Sequence, residues 1–146
     1  MDNQFQRTNV LYNLLTKAAK NCTNRLEALR RAEASGDEDL LEIVRESVVQ
    51  TYEVTIELAW KTARAYALKI EPQGRVSGSN TAIKLAYSTG VIRSEKIARD
   101  LLEAIQHRNM SSHEYMLTEG MQEYIESIGK CFMPAILAFI KGLEEE

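Results

Sequence analysis

The chain has 146 residues, 45% hydrophobic and 27% charged, with a net charge of -3. This is the balance of a globular chain that buries a core, and residues 1–146 are expected to form one helical domain. The absence of a basic block argues against a grip on duplex DNA along its length, while a local cationic pocket for a short RNA or a nucleotide stays open. No apolar run is long enough to cross a membrane, and no signal peptide is recognisable, so a cytoplasmic protein is expected. The two cysteines, Cys22 and Cys131, lack metal-ligand spacing and are read as reduced core residues. Glycine is sparse and alternating patterns are absent, which predicts an all-α chain.

The first helix is expected from about Gln4 to Ala34. Leu11, Leu14, Leu15, Ala18, Cys22, Leu26 and Leu29 fall at three- and four-residue steps and define its apolar stripe. Ser35-Gly36 stops it, and Asp37 is placed to cap the next helix. That second helix, from about Glu38 to Ile70, would be about 50 Å long. Its stripe is Leu41, Val44, Val48, Tyr52, Ile56, Ala59, Ala63 and Tyr66. The short linker makes the first two helices an antiparallel hairpin. Trp60 reads as core, and Glu57 and Lys61 read as an exposed pair one turn apart.

Glu71 to Gly78 contains Pro72, Gly74 and Gly78 and reads as a loop. Arg75 within it is either an ordinary loop residue or a phosphate contact. A short helix follows to about Thr89, ended by Gly90, and Ser94 caps the next helix. Ile97, Leu101, Leu102 and Ile105 form the buried side of that helix, which carries His107, Arg108 and Asn109 at its end. His107 reads as a residue complementing the helix dipole. The last helix is expected from Ser111-Ser112 to about Leu143, with Pro134 kinking it near Lys130. Together these make an up-and-down four-helix bundle with one short extra helix. Val49, Val54, Leu58, Met116, Leu117, Ile136, Leu137 and Ile140 exceed the core stripes and suggest a dimer or partner interface.

The segment from Arg108 to Tyr115 gathers a fixed cation, an imidazole and a phenol with amides and hydroxyls. On an unbroken helix Arg108 and His113 would stand about 140° apart. Ser111-Ser112-His113-Glu114 is, however, a capping-box pattern, which predicts a corner that lets both face one cleft. Helix-end N–H groups there suit a phosphate. A neutral His113 in the first helical turn can take a proton from an RNA 2′-hydroxyl while Arg108 stabilises the developing charge. This chemistry requires neither metal nor cofactor. The bland alternative is that Arg108 and His113 only satisfy helix ends.

Arg108-x4-His113-x-Tyr115 resembles the Arg-x4-His-x-Tyr motif of the HEPN superfamily. The block from Gln50 to Thr62, with Glu57-Leu58-Ala59-Trp60-Lys61 at its end, is similar to the helix-two signature of one branch, the nucleotidyltransferase substrate-binding protein family. Ala82 to Ala86, Gly90 to Ile92 and the loop with Pro72 and Gly74 fit as well, so the likeness spans about residues 5–143. The resemblance implies a bundle that forms a homodimer and partners a minimal, MNT-type nucleotidyltransferase. It further implies one of two roles: a toxin acting as a metal-independent endoribonuclease, or a non-catalytic substrate-binding subunit. Arg108 would then stabilise phosphate, His113 act as acid and base, Asn109 fill the polar position after the Arg, and Tyr115 accept AMP. Glu57 and Lys61 match the signature without an assigned role.

Overall fold

A computed structural model of the protein describes residues 3–109 and 120–144, with side chains from residue 6. The Ser111-Ser112 corner, His113, Tyr115, Met116 and Leu117 lie outside the described residues. Helices α1 (Asn3–Ser35), α2 (Glu38–Ile70), α3 (Ser79–Ser88) and α4 (Glu95–Asn109) follow one another. The last helix, α5, is built from Gly120–Ser127, a π-helical turn Ile128–Phe132, and Met133–Glu144. No strand occurs among the described residues.

Local chemistry sets the boundaries. Gly36 leaves α1 at φ +73°, a left-handed conformation that side chains other than glycine resist. Asp37 then accepts a hydrogen bond from the Leu40 N–H at 3.1 Å, with Glu38 and Asp39 in the first turn. After α2 the chain turns back tightly, the Gly74 N–H donating to the Glu71 carbonyl at 2.9 Å. A Cβ on Gly74 would stand 2.7 Å from Leu85 Cδ2, so glycine lets this loop lie against α3. Thr81 Oγ1 accepts from the Gly78 N–H at 3.0 Å at the start of α3. Gly90, at φ +86°, ends it, and Ser94 Oγ accepts from Ile97 N–H at 3.4 Å at the start of α4.

The irregularity expected near Lys130 takes the form of the π-helical turn. Pro134 has no N–H to offer the Lys130 carbonyl. One residue earlier, the Met133 N–H reaches back five residues to the Ile128 carbonyl.

The helices alternate in direction. Tyr12 Oη donates to Glu144 Oε1 at 2.6 Å, while Leu26 lies beside Gly129, so α5 runs antiparallel to α1. The α1–α2 hairpin packs along its length, α5 closes against α1 and α4, and α3 fills the crossover between α2 and α4. This is the predicted helical bundle with its short extra helix. One core runs through it, including Leu15, Cys22, Val48, Tyr52, Ile56, Ile83, Leu101, Ile105, Ile128, Phe132 and Ile136. Each such large apolar side chain contributes about 1.5–3 kcal/mol on burial. Ala59, Ala63 and Ala67 on α2 are fully buried, small enough to let neighbouring helices approach.

Four expectations change. Leu14 is exposed, because the α1 stripe centres on Leu15 and Ala18 and its neighbour points about 100° away. Val49, Ile136 and Ile140 belong to the chain's own core, whereas Val54 and Leu137 are exposed. Trp60 is half-buried. Cys22 is buried as expected, but Cys131 is only partly covered.

Desolvation pushes the Cys22 thiol up to about 11, against a smaller lowering by a Thr51 hydrogen bond. Iodoacetamide at pH 8 should label Cys131 and spare Cys22 in the native protein, and label both in urea; mass spectrometry of the peptides reads the difference. Replacing Asp37 by Ala should lower stability by about 1 kcal/mol in a urea titration, because the Leu40 N–H loses its acceptor.

Candidate functional site

The end of α4 is held by α2. Tyr52, fully buried, donates its hydroxyl to the Ala104 carbonyl at 3.0 Å. Burial pushes the phenol far above its ordinary range, with Arg108 opposing weakly, so Tyr52 stays a donor. Its ring stacks on Phe132 at 5.9 Å and meets Tyr124 edge-on at 5.8 Å. One residue along α2, Glu53 Oε2 lies 3.5 Å from Arg108 Nη1. Neighbouring positions on α2 thus fix the backbone of the last α4 turn and the side chain it carries.

Arg108 is 39% exposed and Glu53 24%, so the pair sits at a mouth rather than in the core. Arg108 Nε is buried without a hydrogen-bond partner among the described residues. The partly exposed guanidinium, paired with Glu53 among the described residues, presents its Nη groups to a planar anion such as phosphate or carboxylate.

His107 shares this last turn but turns the other way. Its ring lies 5.1 Å from Phe132 and stacks at 6.1 Å on Tyr124, while Nε2 is 4.0 Å from Glu103 Oε1. It is part of the aromatic cluster as well as a helix-end residue. Asn109 is exposed and lines an open groove of about 570 Å³ between α3 and α4.

Glu57 and Lys61 pair with each other at 3.4 Å, both about two-fifths exposed. Trp60 Nε1 donates to Glu57 Oε2 at 3.3 Å, and Arg64 and Lys61 lie 5.2 and 5.9 Å from the Trp60 ring. An exposed pair contributes little by itself; here it braces a half-buried tryptophan. The signature block therefore splits: Tyr52 and Glu53 serve the end of α4, while Glu57, Trp60 and Lys61 hold one another further along α2. Sequence reasoning missed Glu53, although its place one turn before Glu57 puts it on the same face. It also missed a group that crosses helices: Asp100, Glu103 and Cys131 bring ligand atoms within 4.8 Å of one another. Lys96 Nζ already pairs with Asp100 there at 2.7 Å.

Fold and site define a helical bundle with a tethered cation at one helix end. The family model described as nucleotidyltransferase substrate binding protein like matches residues 12–145. The chain belongs to that family. Comparison with curated proteins returns no match. No helix among the described residues is long and apolar enough to cross a membrane.

Tyr52→Phe should cost about 1 kcal/mol of stability, the value of one buried hydrogen bond, while the aromatic packing survives. Urea denaturation measures the loss; an unchanged midpoint would mean that the hydroxyl does not latch α4.

Proposed function

We propose that this chain is the HEPN-type partner of an MNT nucleotidyltransferase and acts as the toxin of the pair, a metal-independent endoribonuclease working as a homodimer. The observation that carries the reading is Arg108: a partly exposed guanidinium in the last described turn of α4, held by Glu53, its Nε without a partner among the described residues. The motif places His113 five residues on. His113 removes the proton from a ribose 2′-hydroxyl; the 2′-oxygen bonds to the adjacent phosphorus, and the 5′-oxygen leaves, taking up a proton. Arg108 stabilises the charge that develops on the phosphoryl oxygens. Asn109 orients the phosphate. The partner enzyme silences this chemistry by moving AMP from ATP to the Tyr115 hydroxyl, with pyrophosphate leaving. The added anion neutralises Arg108 and fills the cleft.

The Arg108–Glu53 pairing favours a second reading, a non-catalytic subunit that binds the nucleotidyltransferase's substrate. A carboxylate beside the guanidinium lowers the positive potential that a charge-rich transition state draws on, while the guanidinium fork can still orient a bound anion.

Cleavage of a mixed RNA pool in EDTA separates the two. Wild-type protein should cleave, and His113→Ala and Arg108→Ala should each lose about 100-fold or more. Absence of cleavage in protein whose Tyr115 is shown unmodified by mass spectrometry would select the binding subunit.

A further inference from the structure

We propose that the groove between α3 and α4 is a nucleobase-reading subsite for single-stranded RNA. It would hold the nucleotide next to the phosphate gripped by Arg108. This inference rests on the RNA-cleaving reading of Arg108 and extends it to substrate selection.

The groove begins at Asn109, the residue after Arg108, and continues along α4 through Gln106, Glu103 and Arg99; Asn80 and Lys84 face it from α3. The α4 members recur at three- and four-residue steps and so form one ridge leading away from the cation. At about 570 Å³ the groove falls in the range of small-ligand sites.

Its chemistry is selective. Asn80 and Gln106 supply exposed carboxamides, each with a donor and an acceptor, from the two walls of the groove, and Asn109 stands at its phosphate end. Facing carboxamides match the mixed donor and acceptor edge of an unpaired base, the part of single-stranded RNA that proteins read. Leu102 gives the groove an apolar patch for a base face. Arg99 is paired with Glu95 at 2.6 Å, whereas Lys84 has no ion pair among the described residues, leaving a cation for the sugar–phosphate backbone. Glu103 supplies an acceptor-only contact, which favours a base with an exocyclic amine, adenine or cytosine.

The division of labour is physical. Arg108 holds phosphate and is indifferent to sequence, and the groove adds the sequence information.

The test uses the full-length protein and four fluorescent single-stranded 2′-O-methyl homopolymer RNAs, which have no 2′-hydroxyl to attack and so stay intact, read by anisotropy. Wild-type protein should favour the adenine or cytosine polymer. The double variant Asn80→Ala/Gln106→Ala changes two exposed side chains, and circular dichroism checks its fold. It should lose about tenfold in affinity for the favoured RNA and much less for the others, flattening the preference. Lys84→Ala should instead weaken all four and reduce the salt dependence. Wild-type binding without base preference, or a double variant that keeps it, would overturn the subsite and leave RNA cleavage at Arg108 standing. No binding of any RNA by unmodified wild-type protein would overturn both.

Discussion

Tyr52 carries a polar hydroxyl into a place without water, and the bundle is arranged so that this hydroxyl is satisfied. It donates to the Ala104 carbonyl of α4, 52 residues away in sequence. A buried phenol left without a partner would cost several times what the bond contributes. The helices α2, α4 and α5 therefore meet at one level, where Tyr52, Tyr124, Phe132 and His107 pack ring against ring. Arg108 is one turn beyond the carbonyl that Tyr52 holds. Its position is a consequence of core packing and owes little to surface electrostatics.

The same arrangement explains why Glu53 is where it is. A guanidinium with no neighbour would sample many rotamers in solvent. A single carboxylate at 3.5 Å restricts it without sealing it. The interaction is weak at this exposure, so an incoming anion can compete for the guanidinium at modest cost. A fully buried pair would resist such exchange.

Much of the architecture was legible in the sequence because its signals are local. Helix ends at Gly36, Asp37, Gly90 and Ser94 follow from backbone conformation and capping, which one or two residues decide. What crosses between helices was not legible. Glu53 belongs to Arg108 only because α2 and α4 meet at that level. Cys131 faces Asp100 and Glu103 only because α5 packs beside α4 at that level. Stripe reading likewise overcounted the surface: Val49, Ile136 and Ile140 were surplus to a one-dimensional stripe, yet the three-dimensional core absorbs them. At the motif, Arg108 and Asn109 lie in the last described turn of α4, and the corner expected after them lies outside the described residues. The groove beside Asn109 was invisible, since Asn80 and Lys84 of α3 form its facing wall.

The π-turn in α5 can also be read as a matter of length. Ile128 and Met133 are both buried, although they stand five positions apart. An α-helix would send one of the two toward solvent, whereas a turn closed by a five-residue hydrogen bond places them nearly in line. The helix thus holds one residue more than regular winding needs, and Met133–Glu144 still meets the core in phase. A related chain with one residue fewer in this turn, and an ordinary residue in place of Pro134, would present the same buried face. Between two such chains the gap belongs here, inside a helix, and not in a loop.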